Sequence, residues 1–249
     1  MTSSTARRLL AVGLFAACAL PWLATPRLVA AQTPAASAEA AAPSVPTPST
    51  GSGIRVKFAT TQGDFVIEVY PDRAPQTVTN FLQYVRDKHY DGTIFHRVID
   101  NFMIQGGGFD RQYKEKPTRA PVAHEGRESL SRGLRNTVGT VAMARTNDPQ
   151  SATAQFFINV KDNAFLDPTP IPEGDPIKRF EYQGRVYENV SRAALLGAPQ
   201  LYGYTVFGRV VSGMEVVNRI KGLPTGAGGP FPSDVPRTAV VIQSATLVK

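Results

Sequence analysis

The sequence predicts a mainly β protein: a closed, eight-stranded antiparallel barrel capped by two α-helices. Short runs of alternating apolar and polar residues recur from residue 54 onward. Glycine (21) and proline (20) are frequent, as turns between many short strands require. Two amphipathic helical patterns stand out, and no regular strand–helix–strand alternation signals a parallel sheet.

The segments before the barrel come first in the chain. Arg7-Arg8 precedes an apolar run over residues 9–20, and small residues follow at Ala30-Ala31. That order predicts a secretory signal peptide over residues 1–31. The run is shorter than the roughly 20 apolar residues a membrane span needs. Two other export signals fit parts of the same segment, a twin-arginine signal at Arg7-Arg8 and a lipoprotein box at Phe15-Ala16-Ala17-Cys18. Each route takes the domain out of the cytoplasm, so a periplasmic or otherwise extracytoplasmic location is expected. Residues 32–53, rich in Ala, Pro, Ser and Thr, read as a disordered linker, because they have little apolar surface to bury.

The domain occupies residues 54–249. Ile54, Val56 and Phe58 alternate with Arg55 and Lys57, and Phe65, Ile67 and Val69 repeat the pattern after a turn at residues 61–64. This is a hairpin. Pro75 suits a first helical turn, and Val78, Phe81, Leu82 and Val85 make one apolar face. Residues 95–99 and 102–105 read as strands joined by Asp100-Asn101, a favoured turn pair, and Gly106-Gly107-Gly108 closes the stretch. Arg97 lies inside it, where a charge is costly unless paired or used. A polar loop over residues 109–137 is longer than most connections and is expected to be functional or anchored by side chains. Residues 138–144 and 155–160 read as strands. Residues 168–203 look like an excursion, with one short helix at residues 191–196. A strand follows at residues 205–211. Ser212-Gly213-Met214-Glu215 reads as a capping box for a helix with Met214, Val217 and Ile220 on its apolar face and Gly222 at its end. Residues 238–248 form the closing strand.

The totals exclude several classes. The net charge of +7 includes Arg7, Arg8 and Arg27 from the segment expected to be removed. No basic stripe with interleaved aromatics supports nucleic-acid binding. Cys18 is the only cysteine, so no disulfide or thiolate metal site is expected in the mature domain, and this suits an oxidising compartment. His89, His96 and His124 lack metal-ligand spacing, so no metal is expected. The glycine triplet lacks the phosphate-loop pattern.

Several separated stretches, taken in order, resemble the cyclophilin family of peptidyl-prolyl cis-trans isomerases. They are Phe95-His96-Arg97-Val98-Ile99, Phe102-Met103-Ile104-Gln105-Gly106-Gly107-Gly108, Leu134-Arg135-Asn136-Thr137, Gly139-Thr140-Val141-Ala142-Met143-Ala144, Gln155-Phe156-Phe157-Ile158 and Phe207-Gly208. Met143-Ala144-Arg145-Thr146 and Asn163-Ala164-Phe165-Leu166-Asp167 resemble the bacterial periplasmic branch. The resemblance runs over nearly all of residues 54–249 and implies the same barrel. It implies rotation about X–Pro bonds in proline-containing, unfolded or partly folded exported polypeptides, assisting their folding, with no cofactor. A proline-peptide binding module or chaperone with little catalysis is the alternative.

The resemblance also assigns roles. Arg97 matches the catalytic arginine, donating to the prolyl nitrogen as the bond twists. Phe102, Met103, Phe157 and Leu166 match the proline pocket. Gln105 and Gln155 match polar groups that hold Arg97 and the substrate backbone. Ala144 and Arg145 match the edge where the peptide lies extended. Arg145 stands where many members have Asn, Phe165 where cyclosporin-sensitive members have Trp, and Tyr204 where many have His. The bacterial periplasmic branch resembles this chain at these positions, which implies retained activity and weak cyclosporin binding, with an altered substrate preference at Arg145. The chain is read as a monomer. The family's connection equivalent to residues 168–203 is usually short, so this insertion is expected to wall the groove and tune substrate choice.

Overall fold

The structure is a computed structural model that describes residues 53–248. The expected signal segment, Cys18 and all of the linker but Gly53 lie outside the described residues. The barrel strands are β1 (Ile54–Thr60), β2 (Gly63–Val69), β3 (Thr93–Ile99), β4 (Met103–Asp110), β5 (Thr140–Met143), β6 (Phe156–Asn159), β9 (Val206–Ser212) and β12 (Ile242–Leu247). They pair in the order β12-β1-β2-β9-β5-β6-β4-β3, antiparallel throughout. The barrel is nearly closed. The outer strands β3 and β12 meet through one bridge, Ile94 with Val241, and through Phe95 N–H donating to the Val240 carbonyl at 3.0 Å.

Alternation fills the interior as the sequence predicts. Val56 and Phe58 of β1 and Phe65, Ile67 and Val69 of β2 are buried in one cluster with Ile104, Val141, Phe156 and Phe207. Phe81 reaches that cluster from helix α1 (Pro75–Arg86), and Val217 and Ile220 reach it from helix α4 (Met214–Lys221). The ring of Phe81 lies 5.0 Å from Phe207 and edge-on to Phe156 at 6.1 Å. These are distances at which aromatic pairs add to area burial.

The helices number four among the described residues. Two are short: α3 (Arg192–Gly197) is the helix expected at residues 191–196, and α2 (Gly126–Ser131) is additional. Two further hairpins complete the fold, β7 (Ile177–Tyr182) with β8 (Arg185–Val190), and β10 (Thr225–Gly228) with β11 (Phe231–Pro236). The first lies inside the expected excursion. Its strand β8 is almost entirely exposed, so burial left no alternating pattern to read. The second is rich in Gly and Pro, which speak against a strand in a sequence reading.

The capping box at Ser212 is corrected. Ser212 is the last residue of β9, paired with Val66. Gly213 caps α4 in the left-handed conformation, with φ 81°, and no side chain bonds the helix start. A Cβ there would come within 2.4 Å of the Asp64 carbonyl oxygen. The strand therefore turns directly into the helix at a position only glycine can fill.

Helix α1 likewise has no local side-chain cap and no acid in its first turn. Its cap comes from the long loop. The buried Glu125 carboxylate accepts from Gln76 N–H at 3.0 Å, from Thr77 N–H at 2.8 Å and from the Thr77 hydroxyl at 2.7 Å. A negative charge at a helix N-terminus is favoured by the dipole as well as by the bonds. The same loop is pinned by Arg119, whose N–H donates to the Tyr84 hydroxyl and whose guanidinium pairs with Asp87. The loop is anchored by its side chains.

Glu125→Ala is expected to cost about 2–3 kcal/mol of stability, because it leaves buried donors at the helix start unpaired. Urea unfolding checks this. A loss below about 0.5 kcal/mol, the level of an ordinary surface change, would show that α1 needs no distant cap.

Candidate functional site

The site lies on the outer surface of the barrel, and strand alternation puts it there. On β6, Phe156 points into the core while Phe157 points out. On β4, Ile104 points in while Met103 points out. On β5, Val141 and Met143 point in while Ala142 points out. The outward residues gather with Leu134, Leu166 and Val206 into a second apolar cluster, against which Phe102, Ala144 and Tyr204 pack.

Arg97 needs more than alternation. Phe95 is in the core, and in a regular strand Arg97, two residues on, would share its face. The pairing of β3 with β4 slips at this point. Phe95 faces Gly106 and Arg97 faces Gln105, so one extra residue, His96, is accommodated. This β-bulge turns Arg97 outward. The His96 ring is buried between Phe109, edge-on at 4.8 Å, and Phe231, stacked at 5.3 Å.

A small cavity of about 80 Å³ results. Its apolar walls are Phe102, Met103, Phe157 and Leu166, with Tyr204 edge-on to Phe157 at 5.4 Å. Arg97, Gln105, Ala144 and Arg145 form its polar margin. The Arg97 side chain keeps 47% of its exposure and, among the described residues, pairs with one carboxylate, Asp234 of β11, with Nε 3.9 Å from Oδ2. That contact is long and exposed, so it ties Arg97 down weakly.

Two predicted residues lie beside the cavity. The Gln155 Oε1 accepts from Gln105 Nε2 at 3.0 Å. Gln155 then lines a neighbouring groove together with Gln105, Ala144 and Arg145. Gly108 makes this placement fit, since a Cβ there would come within 2.5 Å of Gln155. Among the described residues the two amides bond each other and neither bonds Arg97. Phe165 sits on the rim, 75% exposed, stacked on Phe102 at 5.7 Å. Arg145 turns away from the groove floor. Its guanidinium lies 4.6 Å over the Tyr204 ring and donates twice to the Gly203 carbonyl, at 3.0 and 2.9 Å.

Sequence reasoning missed Asp234, which carried no motif, and Tyr70, buried beneath the site with its hydroxyl unpartnered among the described residues. Burial, then the nearby Glu68 charge, raises the Tyr70 pKa. Among the described residues no three acidic, histidine or cysteine side chains converge as metal ligands. His89 instead bonds the Gly107 carbonyl at 3.1 Å, and His124 bonds the Gly203 carbonyl at 3.2 Å. Burial holds His96 and His124 neutral, with pKa values lowered from 6.5 to about 4.

The family model described as cyclophilin type peptidyl-prolyl cis-trans isomerase matches residues 55–247. The chain is 47% identical over 192 residues to peptidyl-prolyl cis-trans isomerase B of Escherichia coli, covering 77% of this chain and 98% of that one. It is 49% identical over 193 residues to peptidyl-prolyl cis-trans isomerase cyp18 of Streptomyces antibioticus, covering 78% and 98%. A solved cyclophilin type isomerase of Cryptosporidium parvum aligns over 79% of this chain and 98% of its own, with 21% identity and a TM-score of 0.49.

The two neutral histidines set a pH dependence. The unfolded chain protonates them near 6.5, and the folded chain only near 4. Between those values the unfolded state binds more protons, so stability falls as pH drops, by about 1.4 kcal/mol per pH unit for each group. Below about pH 4 both states are protonated and this loss stops. Urea midpoints between pH 7 and 5 check it, and His96→Phe is expected to flatten the slope. Equal slopes in the two proteins would contradict the assignment.

Proposed function

The chain belongs to the cyclophilin-type peptidyl-prolyl cis-trans isomerases, and on that premise we propose that Arg97 and the cavity beside it turn X–Pro bonds in exported polypeptides. The observation that carries the site assignment is the weakly paired Arg97 at the mouth of an apolar cavity suited to one small ring.

The chemistry makes few demands. Rotation about the amide bond faces a barrier of about 18–20 kcal/mol, and no covalent bond is broken. As the bond twists, the prolyl nitrogen gains a lone pair. A donor aimed at that nitrogen binds the twisted state better than either planar isomer, so it lowers the barrier. Arg97 supplies the donor. Phe102, Met103, Phe157 and Leu166 hold the pyrrolidine ring in a dry environment, where the charge–dipole interaction is stronger. The peptide lies along Ala144 and Arg145. The Ala144 N–H already donates to the Gln155 carbonyl at 2.9 Å, so the Ala144 carbonyl and the Arg145 main chain remain for a substrate strand. Gln105 and Gln155 act as a pair that offers its amides to the substrate backbone. Proline-containing, incompletely folded chains are the substrates, and the protein acts as a monomer without cofactor or metal.

Arg97→Ala is expected to lower kcat/KM for a prolyl peptide about 10- to 100-fold, the worth of a charged hydrogen bond of about 1.5–3 kcal/mol. An NMR exchange assay reads this. If the original and substituted proteins are equally slow, the groove serves as a binding module. Added cyclosporin is expected to inhibit little in that assay, because Phe165 offers no indole N–H donor.

The export reading rests on Arg7-Arg8, the apolar run over residues 9–20 and Ala30-Ala31. Expression of the full chain followed by fractionation is expected to yield an extracytoplasmic form that begins at Gln32. Recovery of an uncleaved chain in the cytoplasm would sink this reading.

A further inference from the structure

The insertion has its own apolar cluster, in which Ile177, Phe180, Leu195 and Leu201 are buried. Its stem is closed by Thr169 N–H donating to the Leu201 carbonyl at 3.0 Å and by Tyr204 N–H donating to the Leu166 carbonyl at 2.9 Å. The domain grips it further. Arg127 lies 4.5 Å over the Tyr202 ring and donates to the Leu196 carbonyl at 3.2 Å. Arg145 and His124 both bond the Gly203 carbonyl. The insertion is thus a fixed wall set beside Leu166 and Tyr204 of the cavity.

Between this wall and the barrel lies a second cleft, of about 380 Å³. Its floor is the turn at residues 164–167, and its far side is the hairpin tip, Tyr182 and Gln183. The two spaces share that turn. Leu166 lines the proline cavity, while Ala164, Phe165 and Asp167 line the cleft. Phe165 bridges them, stacked on Phe102 of the cavity wall.

We propose that this cleft is a second substrate subsite, which takes the extended polypeptide flanking the bound proline and favours acidic side chains there. The proposal rests on the reading of the Arg97 cavity as the proline site. Arg135 supplies the charge preference. Its side chain is 63% exposed and only 3.6 Å-paired with Asp167. The Asp167 carboxylate is already held by Asn136, through the backbone N–H at 2.7 Å and the side-chain amide at 2.9 Å. Those bonds occupy Oδ1, and Arg135 Nη1 meets only Oδ2, at a long 3.6 Å, so the exposed guanidinium keeps donors for an incoming acid. Gln183 and Gln200 add polar groups suited to a peptide backbone, and the cleft falls in the size range of ordinary ligand sites. An exposed aromatic ring at the junction offers an apolar step between the two spaces.

The test titrates the isotope-labelled full chain with a blocked Ala-Pro dipeptide and with two longer peptides centred on Ala-Pro, one acidic and one neutral. All three are expected to shift the amides of Phe102, Phe157 and Leu166. Only the longer peptides are expected to shift Tyr182, Gln183 and Gln200. The acidic one is expected to bind about tenfold tighter than the dipeptide, equivalent to about 1.4 kcal/mol, with the neutral one between them. Longer peptides that shift the cavity amides alone, with no gain in affinity, would overturn the subsite while leaving the cavity assignment intact. Equal affinity of the acidic and neutral peptides would overturn the charge preference. If no peptide shifts the cavity amides, the proline-site assignment fails, and the subsite fails with it.

Discussion

A strand cannot send residues i and i+2 to opposite faces unless its pairing slips, and the slip in β3 is what the site depends on. Phe95 must stay inward to fill the barrel, since its ring packs edge-on to Phe156. Arg97 must go outward, since an unpaired guanidinium in that core would be prohibitively costly. The extra residue, His96, resolves the conflict, and its ring needs a dry place of its own. Hairpin β10–β11 provides that place through Phe231 and also brings Asp234 near Arg97. One local irregularity therefore explains the buried histidine, the packing of a Gly- and Pro-rich hairpin and the exposure of the arginine.

The remaining strands contribute to the site without any irregularity. Their inward residues build a rigid aromatic core, and their outward residues form the apolar groove. The core residue Phe156 and the groove residue Phe157 are adjacent in sequence, so the strand part of the cavity wall is fixed by the core's packing. Rigidity of this kind suits a reaction in which the catalyst must present a dry pocket and one donor to a twisting bond. The loop over residues 109–137 serves the same end from outside, through the cap that Glu125 places on α1.

The insertion changes the surroundings of the groove and leaves its walls intact. It leaves the chain after Leu166 and returns before Tyr204, two residues that touch the cavity. Arg145 joins the domain to it. Its side chain is spent on the Gly203 carbonyl and the Tyr204 ring. It thereby ties the insertion's stem to the margin of the cavity.

Much of this was legible in the sequence. The eight barrel strands, both amphipathic helices and the apolar wall of the cavity follow from periodicity and from the family's ordered motifs, because burial on one face leaves a repeat of two or 3.6. The bulge at His96, the cap from Glu125 to α1, the glycine turn into α4 and the mutual bond of Gln105 and Gln155 were not legible. Each joins residues through space, at separations that no local pattern records. The exposed hairpin β7–β8 escaped for the opposite reason, since a strand that buries almost nothing writes no alternation. The sequence by itself determined the barrel and the residues available to the site, since short-range burial patterns encode both. Only the tertiary structure decided which way Arg97 points, what holds it and where the insertion stands, since those depend on pairing register and on contacts between distant segments.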